Sequence, residues 1–474
     1  MNHSSSERIV AGLSEWIASA PPGAKLPSTR ALVAEYGASP VTVQQALRVL
    51  VGRGAVETRP GVGAFVRAVR TARTTDHGWQ AAALGAAGNP APQVQAALRT
   101  PPNDVISLHA GYPDRELLPE RLVRAAFSRA GRDDSAVVRP PTAGLPELQT
   151  WFAAELGSVG RADVAPPAAS DVLVLPGSQS GLGTMFRTIV GTGGTLLMES
   201  PSYWGAIQAA AQVGVRVVPI PSGTNGPDPE TLERAFRRTG AHAFYAQPNF
   251  ANPHGAQWAP ELVDRVLDIV RANGAFLIED DWAHDFGIET RSAPVAARDD
   301  SGHVVYLRSL TKSVSPAVRV AGLIARGPVR DRLLADAQAQ SMYVSGALQT
   351  IAHDVVTQPA WRTHLRGVRH QLAARRDLLV AALREHAPSA RLDLVPKGGL
   401  NLWLRLPDGT DAHRLARDCE ELGVAVAPGQ GWFPERAPGP TLRVNYSGPD
   451  PAFFAEGARI IGAALERQEG DRTG

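Results

Sequence analysis

Val304-Val305-Tyr306-Leu307-Arg308-Ser309-Leu310-Thr311-Lys312 is a short β-branched run that stops at hydroxyls and a lysine. Four apolar residues bounded in this way read as a strand buried on both faces, with polar groups set at its carboxyl end. Lys312 stands out because arginine supplies nearly all of the positive charge. In 474 residues the only other lysines are Lys25 and Lys397.

Working outward, similar runs recur at Val172 to Leu175, Thr195 to Met198, Val215 to Val218, Ala243 to Ala246, Phe276 to Ile278 and Leu323 to Ala325, with helical stretches between them. That alternation predicts a doubly wound α/β domain. Helical runs near residues 327 to 388 then lead to a smaller α+β part holding Leu400 to Leu404, Val424 to Ala427 and Leu442 to Val444. No internal repeat is evident.

In open α/β sheets a ligand sits at the carboxyl ends of the strands, so the residues just past each strand carry the chemistry. Pro176-Gly177-Ser178-Gln179 is a glycine turn opening a helix whose amides and hydroxyls can hold a phosphate. Tyr203 offers an aromatic face, Gln247-Pro248-Asn249-Phe250-Ala251-Asn252-Pro253-His254-Gly255 follows one strand, and Glu279-Asp280-Asp281-Trp282 brings carboxylates to the end of another. Ser309 and Lys312 follow the opening run, with Arg319 further on. A carboxylate for a protonated ring nitrogen, an aromatic for the ring face, hydroxyls and arginine for phosphate, and an amine for a Schiff base together describe a pocket for pyridoxal 5′-phosphate. Asp281 is expected at the solvent or on a helix cap, and His254 and His284 as packed or solvent-facing residues.

The first 67 residues differ in kind. Ile9, Val10, Leu13, Trp16 and Ile17 recur at helical spacing, and Pro21-Pro22-Gly23 ends that helix. Ser28 can cap a second helix stopped by Gly37, and Ser39-Pro40 opens a third through Val43, Ala46, Leu47 and Leu50. Strand, tight turn and strand then follow around Arg59-Pro60-Gly61-Val62-Gly63. Eight basic residues against four acidic ones leave residues 1 to 70 with an excess of +4, although the whole chain carries only +2. A turn-linked helix pair with a basic wing suits double-stranded DNA.

Composition limits the remaining classes. At 44% hydrophobic and 20% charged the chain is globular in type, and no leader or long uncharged span is visible, so a cytoplasmic protein without a membrane span is expected. The single cysteine, Cys419, cannot form an intramolecular disulfide, and no Cys/His cluster has metal-ligand spacing, so no metal is expected. Residues 68–103, rich in Ala, Gly, Thr and Pro, read as a linker between a domain at 1–67 and one at 104–474, apart from a possible turn around Val94 to Leu98.

Residues 7 to 67 resemble the GntR family of winged-helix regulators, through Pro22-Gly23-Ala24-Lys25-Leu26-Pro27-Ser28-Thr29-Arg30, the Ser39 to Leu50 helix and Gly61-Val62-Gly63-Ala64-Phe65-Val66. Arg30 matches that family's phosphate-contacting arginine, and Lys25 and Arg59 are expected as further backbone contacts. The family's arginine after the helix-opening serine is Pro40 here, so base reading is expected from Thr42, Gln44, Gln45 and Arg48. Residues 105 to 466 closely resemble the fold-type I aminotransferases of class I/II. This resemblance implies Lys312 as the lysine that forms the aldimine, Asp280 as partner of the pyridine nitrogen and Asn252 as partner of the ring hydroxyl. It also implies Tyr203 stacked on the ring, phosphate held by Gly177, Ser178, Gln179, Ser309 and Arg319, and Arg443 as the arginine for an effector or substrate carboxylate. Two positions depart from that pattern: Trp282 stands where a tyrosine usually supports the ring hydroxyl, and Arg139 where one usually reaches the partner subunit's phosphate.

The order of these parts resembles the MocR subfamily of GntR regulators. The resemblance implies a head-to-tail homodimer in which pyridoxal phosphate, alone or joined to a small amino compound, sets affinity for a DNA operator. An active aminotransferase with an accessory N-terminal domain is the alternative.

Overall fold

The computed structural model describes residues 5–67, 79–80, 83, 99, 102 and 104–473. The expected linker at 68–103, with the turn near Val94, lies almost entirely outside the described residues. The chain divides into two compact units, residues 1–88 and 89–474.

In the first unit, helices α1 (Ser5–Ser19), α2 (Thr29–Tyr36) and α3 (Pro40–Gly52) precede a hairpin of β1 (Val56–Arg59) and β2 (Gly63–Val66). Local chemistry sets each boundary. Ser28 Oγ accepts from the Ala31 N–H at 3.2 Å, Gly37 ends α2 at φ 60°, and Ser39 Oγ accepts from the Thr42 N–H at 3.2 Å with Pro40 as the first helical residue. The hairpin turns on Gly61 and Gly63, both at positive φ, in a register that pairs Val56 with Val66. Lys25 bridges to Phe65, so the 24–26 segment extends the hairpin edge. Ile9, Leu13, Leu32, Val43, Leu50 and Val56 form the core. Trp16, which shares their helical spacing, is instead 38% exposed.

In the second unit a short strand β3 (Ile106–Ser107) comes before the main sheet. That sheet contains β4 (Val172–Leu175), β5 (Thr195–Ser200), β6 (Arg216–Gly223), β7 (Gly226–Pro227), β8 (Ala243–Ala246), β9 (Phe276–Asp281), β10 (Val304–Ser309) and β11 (Ala321–Ile324), in the order β4-β11-β10-β9-β8-β5-β6-β7. Strands β6, β5, β8, β9 and β10 are parallel. Strand β11 runs antiparallel to both of its neighbours, because segment 310–320 is too short for the crossover that a parallel connection needs. Apolar residues cover both faces of the sheet, in line with the uninterrupted β-branched runs.

The smaller part pairs β12 (Arg391–Leu392), β13 (Asn401–Arg405), β15 (Ala427–Pro428) and β16 (Thr441–Asn445) in the order β12-β13-β16-β15. Strand β14 (Val424–Ala425) pairs in parallel with β3, so residues from the start of this unit complete its last part. The long helix Pro359–His386 packs Leu372, Leu379 and Leu383 into the same core as Leu402, Leu442 and Ile461. No helix among the described residues is long and apolar enough to cross a membrane.

Candidate functional site

A cleft opens at the carboxyl ends of the central strands. Its wall brings together Ser178, Gln179, Tyr203, Asn252, Asp280, Trp282, Ser309, Lys312 and Arg319 from separate stretches of chain. Sheet geometry explains the convergence: parallel strands end on one edge, and each contributes the residues that terminate it.

One end of the cleft is built for an anion. Gly177 sits at φ 89° before the helix Ser178–Met185, whose first N–H groups lack intrahelical partners. A Cβ at Gly177 would lie 3.2 Å from Arg319 Nη2 and 3.7 Å from Thr311 Oγ1, so the turn needs glycine to admit both groups. Arg319 is exposed and itself has φ 47°. Thr311 Oγ1 is buried without a partner, and the Thr311 N–H donates to Ser309 Oγ at 3.2 Å. Gln179 is anchored by donating to the Gly205 carbonyl at 2.8 Å and accepting from the Tyr203 hydroxyl at 3.3 Å.

The other end carries the charge. Asp280 lies within β9 rather than beyond it, and Oδ2 accepts from the Tyr245 hydroxyl and from Gln247 Nε2, each at 2.8 Å. Oδ1 is buried without a partner. Burial pushes the carboxyl up to about 6, against the pull of those two donors and of Lys312. Lys312 is brought down to about 7 by burial and by the Arg443 charge, with Asp280 opposing. Its Nζ lies 4.1 Å from the centroid of the Trp282 ring. The orphaned carboxylate oxygen and hydroxyl, at the two ends of a cleft that also holds an amine, fit a ligand with one cationic and one anionic end, which is the chemistry of a phosphorylated pyridine aldehyde.

Arg443 does not stand on the cleft wall. It is buried in β16, stacked 4.7 Å from the Trp432 ring, and its Nη2 donates to the carbonyls of His109 at 2.6 Å and Ala110 at 3.3 Å. Its Nη1 reaches Asn252 Oδ1 at 3.4 Å, while Nε is buried without a partner. Burial lowers this guanidinium to about 10, still charged at neutral pH. Trp282 donates to the Phe250 carbonyl at 3.0 Å, so its one N–H is used by the backbone. Arg139 lies outside the cleft, in a hollow beside Pro140 and Thr350.

Asp281 is not at the solvent or on a helix cap. Alternation along β9 turns it to the face opposite Asp280, where it is buried and accepts from Tyr306 at 2.8 Å and Ser292 at 2.9 Å. His284 Nδ1 bonds to the same carboxylate at 2.6 Å, so this half-buried histidine is tied to Asp281 instead of being merely packed or facing solvent. Burial works to raise Asp281, but His284, Tyr306 and Arg308 outweigh it and hold the carboxyl below its usual range. His254 is packed as expected, and burial lowers it to about 4. Sequence reasoning missed Tyr112, Tyr245, Gln247 and Trp432, and gave Thr311 no role. One available signal was the period of two along β8, which places Tyr245 and Gln247 on one face of the sheet, the face that Asp280 shares in the neighbouring strand.

The first unit carries the residues expected to meet DNA. Arg30, Gln44, Gln45, Arg48 and Arg59 are exposed, and Lys25, also exposed, lies along the hairpin edge. The Thr42 hydroxyl bonds to Ser39 Oγ at 2.8 Å, while Gln44 Nε2 leans on Thr29 Oγ1 at 3.4 Å. Both therefore have local work, whereas Val41, not singled out by sequence, is 71% exposed beside them. Arg59 pairs with Glu57 at 2.7 Å and covers the Phe65 ring, an exposed ion pair that costs little to open.

The aminotransferase class I and II family matches residues 103–461, and the gntR family of bacterial regulatory proteins matches residues 5–66. The chain is 30% identical over 368 residues to a 2-aminoadipate transaminase of Thermus thermophilus, covering 76% of this chain and 90% of that one. It is 26% identical over 453 residues to a probable rhizopine catabolism regulatory protein, MocR, of Rhizobium meliloti, covering 93% and 89%. Among solved structures, the alpha-aminoadipate aminotransferase LysN of Thermus thermophilus, complexed with N-(5′-phosphopyridoxyl)-L-leucine, has 29% identity and a TM-score of 0.71, over 78% of this chain and 94% of its own. The family and this neighbour imply pyridoxal phosphate as the cofactor.

Proposed function

Because the chain belongs to the class I and II aminotransferases and carries a GntR-type domain ahead of that fold, the architecture of MocR-type regulators, we propose that it is a transcriptional regulator with a ligand-sensing aminotransferase-like domain. In this reading pyridoxal phosphate is held on Lys312, and the cofactor, alone or joined to a small amino compound, sets operator affinity. The observation that carries the reading is that a regulatory relative aligns across 93% of the chain, through both units.

Pyridoxal phosphate, when bound, supplies an electron-accepting ring and an aldehyde for an amine. The chain's own residues then have separate tasks. Lys312, with its amine near neutrality, is suited to attack a carbonyl. Asp280 Oδ1 is the acceptor for a ring N–H, Asn252 is assigned to the ring hydroxyl, and Tyr203 to the ring face. Ser178, Gln179, Ser309, Thr311 and Arg319 surround the phosphate position. Arg443 is assigned to the effector carboxylate, which would replace the carbonyls of His109 and Ala110 as its acceptor. The regulator would act in the cytoplasm as a head-to-tail homodimer on double-stranded DNA.

A sensor needs a ligand with unequal affinity for two states of the protein. A coupling of about 1–3 kcal/mol would change operator affinity roughly 5- to 150-fold. The test is fluorescence anisotropy with the DNA flanking this protein's own gene, titrated with and without pyridoxal phosphate at matched salt. Curves that superimpose would reject cofactor control. The alternative, an active aminotransferase, is favoured by the intact set of Lys312, Asp280 and Arg443, and disfavoured by the Trp282 N–H being committed to Phe250. Steady transamination of an amino donor at ordinary enzyme rates would select it.

A further inference from the structure

Gln247, buried just past β8, spans two groups of the cleft with one carboxamide. Its Nε2 donates to Asp280 Oδ2 at 2.8 Å, and its Oε1 accepts from the Asn252 backbone N–H at 2.9 Å. The second contact determines the first. A backbone N–H can meet only the carbonyl oxygen of the amide, so the NH2 group must face the carboxylate. The Gln247 backbone is fixed in turn, because its N–H donates to Glu199 Oε2 at 2.8 Å, and Glu199 Oε1 accepts from Ser222 at 2.8 Å.

On Asp280, the Tyr245 hydroxyl shares Oδ2 with Gln247. With both donors on one oxygen, the carboxylate cannot rotate without breaking two buried bonds, and Oδ1 alone is left for a ligand. On the far side, Asn252 Oδ1 accepts from Trp432 Nε1 at 3.2 Å and Arg443 Nη1 at 3.4 Å. A continuous polar line thus runs from Arg443 through Asn252 and Gln247 to Asp280.

We propose that Gln247 is a positioning residue that ties Asp280 and Asn252 into one unit, so that the groups assigned to the ring nitrogen and the ring hydroxyl hold pyridoxal phosphate in a single register. This rests on the reading of the cleft as a pyridoxal phosphate site. Side-chain chemistry makes the task specific. Leucine fills the space but makes neither bond. An ionised glutamate sets a second anion against Asp280, whereas a protonated one restores both bonds, its O–H donating to Asp280 and its C=O accepting from Asn252.

The experiment uses the full chain with pyridoxal phosphate as the probe, between pH 6 and pH 9. Affinity is read from tryptophan quenching, and the bound cofactor's visible band is read against pH. The other ionisable groups facing this unit, Glu199, Tyr203, Tyr245, Lys312 and Arg443, are common to every variant, so each is compared with wild type at the same pH. Gln247→Leu should bind the cofactor roughly tenfold or more weakly, with a displaced band, at every pH. Gln247→Glu should approach wild type at the acid end and depart from it as pH rises. Should both variants match wild type throughout, or should Gln247→Glu be as defective as Gln247→Leu at every pH, the assignment is overturned. If circular dichroism shows Gln247→Leu unfolded, the pH response of Gln247→Glu decides. Wild-type protein that takes up no pyridoxal phosphate would instead remove the cofactor reading, and this assignment with it.

Discussion

Lys312 Nζ stands 4.1 Å from the centroid of the Trp282 ring, an amine held against an indole face in a buried cleft. The contact favours the cationic form, yet burial and the Arg443 charge bring the amine down to about 7. Desolvation therefore dominates, and a reactive amine is present near neutral pH.

Attachment of pyridoxal phosphate to the apoprotein should follow that amine. Its rate is expected to rise about tenfold per pH unit below neutrality and to level off near pH 7, not near the value of a free lysine. Stopped-flow absorbance across pH 5.5 to 9 checks this. A rate still climbing at pH 9 would show that the lysine is not depressed.

Borohydride reduction should fix the cofactor to a peptide containing Lys312, and Lys312→Ala should retain no reducible adduct. In operator titrations the same variant should lose its response to pyridoxal phosphate. Arg443→Ala should lose only the response to an amino compound. An adduct that persists in Lys312→Ala would reassign the lysine.

The DNA-facing residues should separate into positioning and reading groups. Arg30→Ala is expected to weaken binding to every duplex and lower the salt slope by about one, while Gln45→Ala relaxes preference at particular bases by about 1–3 kcal/mol. Val41, the exposed apolar residue one turn before Gln45, suits a thymine methyl. In a duplex selected from a random library, replacing one thymine with deoxyuridine should cost wild type about 0.8 kcal/mol and cost Val41→Ala nothing. Indifference of the wild type at every thymine would exclude that contact.

Asp281 is a matter of stability. Tyr306→Phe removes a hydrogen bond to a buried carboxylate and should cost about 1.5–3 kcal/mol, read as a lower denaturant midpoint. Because the folded state holds Asp281 below the usual carboxylate range, its contribution is present above that range and is lost as pH falls from it through the lower folded-state value. Asp281→Asn should therefore lose less stability on acidification than wild type. Equal acid sensitivity would place the titrating group elsewhere.

Much of the architecture was legible in the sequence because its determinants are local. A serine three residues before an N–H it can cap, a glycine where φ must be positive and a β-branched run of four residues act through neighbours in the chain, which is why Ser28, Ser39, Gly177 and the run at Val172 to Leu175 read correctly. The gathering of Lys312, Asp280, Asn252 and Tyr203 was legible for a related reason, since parallel strands must end at one edge. What only the tertiary structure decided are contacts between residues remote in sequence and the choice between the two faces of a strand. Asp280 and Asp281 are adjacent and chemically identical, yet alternation along β9 sends one to the cleft with a free oxygen and the other into a closed set of donors around His284. Arg443 meets the carbonyls of His109 and Ala110 only because β3 returns to complete the smaller part. Gln247 meets Asp280 only because β8 and β9 are neighbours in the sheet. Burial, which sets the charge on Lys312 and Asp280, is a property of the assembled cleft, and no stretch of sequence carries it alone.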